Sequence, residues 1–304
     1  MAVTGVVHHC QLKLEVVQGL YLTAYIKILR PNQWLKNLML LFPPFLGGII
    51  TQPGLIQKGI LPFITFCAAS SSTYVLNDII DSQNDAHHPV KKFRPIPSGA
   101  IEKNTALVLS ILLACTSIIL AYFCSTTFLL LLITYITVVT AYSLKLKNIP
   151  IVDIFCISSG FLLRLQAGGQ VFNIQISDWL FLSVFLLAMF LSTGKRLGER
   201  TILGDGAGSH RKSLIVYPDG FLDGTMYMTG AAVLVTYTMY VISRHTLIYT
   251  VPLCLFGLLR YIFLVKSGRT GDPTESLYRD NILFVVGFFW VVMVGWSLYG
   301  KVYN

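Results

Sequence analysis

Acidic side chains are scarce in this chain: 14 Asp and Glu stand against 23 Lys and Arg, and charged residues of all kinds make up only 12% of its 304 residues. That is about half the charged share of a soluble domain, which excludes an ordinary solvated surface. Paired cysteines are lacking too. Cys10, Cys67, Cys115, Cys124, Cys156 and Cys254 form no C-x-x-C pair and show no zinc spacing. They read as buried, reduced thiols, not as a disulfide framework. No internal repeat, linker or low-complexity tract divides the sequence, so one domain over residues 1–304 is expected. Residues 1–30 carry Lys13, Glu15, Lys27 and Arg30 and have neither the apolar core nor the small-residue site of a cleavable signal peptide. An amphipathic helix lying along a membrane interface is the expectation there.

What is abundant is apolar surface, at 54% of residues. Runs near the length that crosses a bilayer fall at 36–51, 60–77, 105–123, 126–144, 150–170, 177–194, 225–243, 246–265 and 281–299. An all-α integral membrane protein of nine transmembrane helices is therefore expected. The 23 basic residues test the count, because the positive-inside rule gathers Lys and Arg into alternate loops. They fall in the N-terminal segment and in the loops near 78–104, 144–149, 195–224 and 266–280, whereas the opposite face holds only Lys58, Arg244 and Lys301. This pattern puts the N-terminus and the basic loops in the cytoplasm and the C-terminus outside. The formal charge of +9 is thus topological and calls for no nucleic acid.

Against that scarcity of acids, Asn77-Asp78-x-x-Asp81-x-x-x-Asp85 is the most informative stretch. On a helix these four residues fall within roughly a 100° arc, so their oxygens can converge on one divalent cation. Carboxylates at a bilayer boundary are costly unless neutralised. Mg²⁺ carrying a diphosphate suits them, since Mg²⁺ takes one or two carboxylates and fills its other positions with water and substrate phosphate. Lys91, Lys92 and Arg94 follow closely, of the residue types that bind phosphate. His87 and His88 read as loop residues.

Two further clusters lie on the same side. Tyr142, Ser143, Lys145 and Lys147 end the fourth run, with Asp153 and the intramembrane Arg164 beyond. Lys147 reads as a topology anchor. For Asp153 and Arg164, a structural pairing with another helix and direct substrate contact both fit. The longest basic loop carries Lys195, Arg196 and Glu199, then Arg211, Lys212 and Tyr217, a composition suited to capturing a polyanion. Arg30-Pro31-Asn32-Gln33-Trp34-Leu35-Lys36-Asn37 adds cations and amides behind an interfacial Trp. Gly204–Ser209 reads as a flexible loop, because no strand precedes it as a phosphate cradle would require.

The N-D-x-x-D-x-x-x-D element at 77–85 and Tyr142-Ser143-x-Lys145 together resemble the UbiA superfamily of intramembrane prenyltransferases, over essentially the whole chain. The resemblance implies a helical bundle around a lipid-open cavity, capped by cytoplasmic loops. It also implies Mg²⁺ on the aspartates, with Tyr142 and Lys145 near a diphosphate. Aromatic prenyltransferases of the superfamily carry a second D-x-x-x-D after the sixth span, where this chain has Lys195-Arg196-x-x-Glu199. With R-P-N-Q-W-L-K-N at 30–37, H-P-V-K-K-F-R-P-I at 88–96 and Gly271-Asp272-Pro273-Thr274-Glu275, it is similar to the branch that makes decaprenylphosphoryl phosphoribose. That branch joins phosphoribosyl diphosphate to a polyprenyl phosphate and releases diphosphate.

The resemblance gives the residues roles. Asp78, Asp81 and Asp85, supported by Asn77, hold the metal. Lys91, Lys92 and Arg94 hold phosphates of the sugar donor, with Asp78, Asp81, Lys92 and Arg94 nearest the chemistry. Lys36, Lys145, Lys195, Arg196 and Arg211 share the lipid phosphate and the 5-phosphate, and Tyr142, Asp153, Arg164, Glu199 and Tyr217 complete the substrate set. A prenyl phosphate is already largely anionic near neutral pH, so no protein base is required. The alternatives are an aromatic prenyltransferase, which the missing second acidic element disfavours, and a transporter, for which paired half-repeats are absent.

Overall fold

The computed structural model describes residues 23–87, 90–203, 212–244, 248–269 and 271–300. The greater part of the interfacial helix expected over 1–30, together with His88, the 204–209 loop, Arg211 and Lys301, lies outside them. Among the described residues there are helices and no strands.

A helical stretch over residues 23–29 leads into an irregular segment, a 3-10 helix over Pro31–Leu41 running into a short helix α1 (Phe42–Leu46). Pro31, Pro43 and Pro44 explain the irregularity, since proline removes backbone donors and breaks the α-helical pattern. Then follow α2 (Leu55–Ala86), α3 (Lys103–Cys124), α4 (Thr126–Leu144), α5 (Val152–Phe172), α6 (Asp178–Leu203), α7 (Lys212–Val216), α8 (Phe221–Arg244), α9 (Val251–Lys266), α10 (Pro273–Arg279) and α11 (Asn281–Tyr299). Side-chain caps set several starts. Ser125 accepts from Phe128 N at 3.1 Å and turns α3 directly into α4, and Asp280 starts α11 by accepting from Leu283 N at 2.8 Å. Each satisfies a backbone donor that a helix end leaves orphaned.

Among the described residues, seven helical stretches are long and apolar enough to cross a bilayer: α2, α3, α4, α6, α8, Ile248–Lys266 containing α9, and α11. The other two runs read as spans differ for physical reasons. The first is the proline-broken segment. The second, α5, has 21 residues but carries Asp153 and Arg164 turned inward, 0% and 4% exposed.

Neighbouring helices pack in chain order, α2 along α3, α4 along α5, α5 along α6 and α6 along α8. The Pro31–Leu41 helix lies across α2 and α5. Closure comes from the last helix, where the Tyr299 hydroxyl donates to the Phe45 carbonyl at 2.7 Å. Some 61% of the apolar windows of α2 and α6 is buried, against 6% of that of α11. Thus α2 and α6 run through the middle, while α11 presents Phe284, Phe288, Val292 and Trp296 outward, as lipid contact requires.

The packing of the irregular segment on α5 depends on Gly168. A Cβ there would lie 2.2 Å from the Leu40 carbonyl oxygen and 2.9 Å from its Cα, inside backbone that cannot swing aside. Gly168→Ala is expected to cost about 1–3 kcal/mol, the usual penalty for overpacking. Thermal unfolding in detergent measures it, and an unchanged midpoint would show that the segment can slide.

Candidate active site

At 32 residues α2 is about 48 Å long, more than a bilayer core needs, so its last turns emerge as a charged rod. Asp78, Asp81 and Asp85 lie there at helical spacing and each meets a cation. Asp78, 2% exposed, accepts from Arg30 and, at 3.1 Å, from Arg94 Nη1. The same nitrogen donates to Asp85 Oδ2 at 2.5 Å, and Lys91 Nζ stands 3.9 Å from Asp85 Oδ1. Asp81 pairs with Lys147. Local structure aims these partners: Arg30 takes a left-handed conformation (φ 53°) just before Pro31, and the 3-10 turn Lys91–Phe93 returns Arg94 to the helix. Arg30 also lies over the Tyr74 ring, 5.4 Å from its centroid.

The donor chemistry fits a hard, oxygen-seeking divalent cation. Asp78 Oδ1 and Asp85 Oδ2 both reach one guanidinium nitrogen, so a single ion in its place would touch both. In the present arrangement the cations hold the inner positions, and no group of three or more His, Cys, Asp or Glu side chains gathers as a ligand set among the described residues. A divalent ion would suit the carboxylates, and Arg30, Arg94 and Lys147 would then be free to hold anions. Asn77 stands half-buried beside Asp78. Lys92 is exposed, with Nζ over the Phe93 ring, 5.1 Å from its centroid.

Five residues that the sequence offers as substrate contacts form one buried network. Arg196, 1% exposed, donates through Nε to Asp153 Oδ2 at 2.7 Å, through Nη1 to Glu199 at 2.8 Å and through Nη2 to the Tyr142 hydroxyl at 3.0 Å. The Tyr217 hydroxyl donates to Asp153 Oδ1 at 2.8 Å and accepts from Ile151 N at 2.6 Å. Burial pushes the Tyr217 phenol far above its usual range, keeping it a neutral donor. Ile151 itself is strained (φ 68°, ψ −50°), with Val152 N donating to Pro150 O at 2.8 Å around it. Such a three-residue turn is rare, and the Tyr217 hydrogen bond braces it. The network ties α4, α5, α6 and the segment after α7 together.

Arg164 is also fully engaged. It donates to Asn37 Oδ1 at 2.7 Å, Gly160 O at 2.8 Å and the Tyr135 hydroxyl at 2.8 Å, with its guanidinium 4.5 Å from the Tyr135 ring centroid. Asn37 in turn donates to Ser70 at 3.2 Å. An intramembrane charge is thereby kept among hydrogen-bond acceptors and aromatic faces. Next to Asn37 in the chain, Lys36 is half-buried, close enough to Lys195, Asp272, Arg164 and Arg30 to feel their charges. Lys195 pairs with Asp272 at 2.7 Å. Burial pushes the Asp272 carboxyl up, but the charge and hydrogen bond of Lys195 outweigh it and hold the group below the ordinary carboxylate range. Lys145 is exposed just past the end of α4.

The structure links Asp78, Asp85, Lys91 and Arg94 by ion pairs, leaves Asp81 apart from them on Lys147, and brings in two cations that the sequence leaves in other roles. Lys147 reads as a topology anchor in sequence yet neutralises Asp81. Arg30 reads as part of an interfacial motif yet neutralises Asp78; its position directly before a proline, where the backbone is restricted, was the available signal.

Residues 40–292 match the model of the UbiA prenyltransferase family. A decaprenyl-phosphate phosphoribosyltransferase of Mycolicibacterium smegmatis is 32% identical over 90% of this chain and 92% of its own. A protein of the same name from Corynebacterium glutamicum is 32% identical, over 90% and 86% of the two chains. Among solved structures, a UbiA homolog from Archaeoglobus fulgidus bound to GPP and Mg²⁺ superposes with a TM-score of 0.71, at 20% identity over 91% of this chain and 99% of that one. At that identity the likeness concerns the fold.

Proposed function

Because this chain belongs to the UbiA prenyltransferase family and is a transferase, we propose that it moves 5-phosphoribose from phosphoribosyl diphosphate to a polyprenyl phosphate, releasing diphosphate. The observation that carries this reading is the fate of the second acidic position. Where a prenyl-diphosphate enzyme of the superfamily places a second metal-binding pair, Arg196 is locked into Asp153, Glu199 and Tyr142 and Lys195 into Asp272. One acidic face remains, on α2, and the names of the relatives accord with it.

Mg²⁺ would be held by Asp78, Asp81 and Asp85 and would supply charge stabilisation for the departing diphosphate. The rest falls to the chain. Arg30, Lys91, Arg94 and Lys147 offset the phosphate charges, so that two anionic substrates can share one site. An oxygen of the lipid phosphate attacks C1 of the ribose while the bond from C1 to the diphosphate oxygen breaks. That oxygen already carries negative charge, so no side chain has to remove a proton. Alignment is therefore the main demand on the protein.

The membrane reading extends the seven apolar stretches to nine crossings, with α5 and the Pro31–Leu46 segment as the two irregular ones. The aspartate face and cap loops stand in the cytoplasm, where a soluble sugar donor is found; the C-terminus lies outside, and the plasma membrane is the site if the source is bacterial. The prenyl chain remains among the exposed apolar side chains and lipid.

Labelled phosphoribosyl diphosphate and polyprenyl phosphate, incubated with the purified protein and Mg²⁺ in detergent, should yield a labelled lipid. Absence of that lipid, with prenyl transfer to an aromatic acid under the same conditions, would replace this reading by the aromatic prenyltransferase one.

A further inference from the structure

Lys147 belongs to a turn that is held from outside itself. The 3-10 turn Leu146–Asn148 leads from α4 towards α5, and from it the Lys147 ammonium reaches Asp81 on α2, 66 positions away in the chain. Two side chains of the α7 segment fasten the backbone of this connection near its two ends. Ser213, 0% exposed, donates through Oγ to the Lys147 carbonyl at 3.1 Å, and the Tyr217 hydroxyl accepts from Ile151 N at 2.6 Å. The fastened stretch includes Pro150, whose ring fixes its own φ, and Ile151, a β-branched residue at φ 68°. Such backbone persists only where its surroundings enforce it.

The clasp is anchored in the core and does not depend on Lys147. Leu214, beside Ser213, is 1% exposed. The Tyr217 ring stacks on Phe221, with centroids 5.6 Å apart, and its hydroxyl donates to Asp153 Oδ1 at 2.8 Å. Holding the backbone of a lysine lowers the entropy that its flexible stem must give up to reach a partner. The Lys147 side chain is 11% exposed, so solvent ions screen the pair little. A divalent ion taking Asp81 must displace this ammonium, and the more firmly the turn is held, the harder the displacement.

We infer that Ser213 and Tyr217 are positioning residues: by clasping the connection over 146–151 they keep Lys147 on Asp81 as a tethered counter-cation, which sets how readily Asp81 takes a divalent ion. Neither touches the ion in this role; both act through Lys147. The role rests on Asp81 holding the ion, as in the reading above.

Mn²⁺ binding to the full chain in detergent, without substrates, tests it, read from the loss of the free-ion electron paramagnetic resonance signal. Wild type should bind Mn²⁺, and Lys147→Met should tighten binding by at least about tenfold, because a competing positive charge is gone. Ser213→Ala should tighten it about threefold, the share of one hydrogen bond in the tether. Tyr217→Phe should act in the same direction, and Ser213→Thr, which keeps the hydroxyl, should bind as wild type does. A misfolded variant cannot mimic a gain. Added to Lys147→Met, Ser213→Ala should change nothing further, a dependence that a merely structural serine would not show. Equal affinity in wild type and Lys147→Met, unchanged or weaker binding in Ser213→Ala, or a further shift in the double variant overturns the tether. Absence of Mn²⁺ binding in wild type overturns it together with the assignment of Asp81. The expected shifts in a protein that makes no labelled lipid would support the tether and count against the transfer reaction.

Discussion

Asp81→Asn is expected to lower Mg²⁺-dependent transfer at least about a hundredfold, on the scale of losing one stabilising group at the reacting centre, while the bundle stays folded. Asp81 is 25% exposed and has a single cationic partner, Lys147. Removing its charge leaves Lys147, 11% exposed, facing an amide oxygen that can still accept its hydrogen bond. Asp78→Asn should be as inactive but also less stable. Asp78 is 2% exposed and neutralises both Arg30 and Arg94, so an amide leaves Arg94 to Asp85 and strips Arg30 of its carboxylate, at a cost of about 1–3 kcal/mol. Initial rates over a range of Mg²⁺, read beside thermal unfolding, separate the two effects. Lys58→Ala, an exposed change at the far end of α2, should leave both readouts unchanged. Full activity in Asp81→Asn would remove that side chain from the metal site.

The second large effect is structural. Arg196→Met would take from Asp153, 0% exposed, its paired guanidinium, while the Tyr217 hydroxyl bond remains. Breaking a buried pair in this way costs roughly 3–5 kcal/mol, because the surviving charge is uncompensated. Little folded protein should survive extraction. Asp153→Asn together with Arg196→Gln removes both charges and should recover much of that loss, the non-additivity expected of directly paired groups. Wild-type stability in Arg196→Met, accompanied by weakened substrate binding, would show instead that Arg196 is a ligand.

What could be read from the chain alone follows from distance along it. Asp78, Asp81 and Asp85 lie within three helical turns and stand out because acids are rare, and Arg94 is only nine residues beyond Asp85. Lys147 and Asp81 are 66 positions apart, Arg30 and Asp78 48 apart. In sequence such cations look the same as those that merely orient a membrane protein. Lys195 and Arg196 show the opposite error. Adjacent letters read as one basic cluster, yet successive helical residues point about 100° apart. One therefore turns to Asp272 and the other to Asp153. The apolar runs locate α2, α3, α4, α6, α8, α9 and α11 well. At α5 and before α1 the runs coincide with less regular or less apolar segments, where polar residues turn inward and prolines stand near the helix start.

The basic partners on the α2 face also bear on how such a protein is made. Many metalloproteins wait for their ion before they can fold, because their ligands repel one another until it arrives. Here each aspartate receives a counter-charge from the same polypeptide, so the nascent chain can insert and close its helices with no magnesium at hand. With magnesium held as proposed, biogenesis and loading would be separate events, and cells starved of the ion would still accumulate assembled protein.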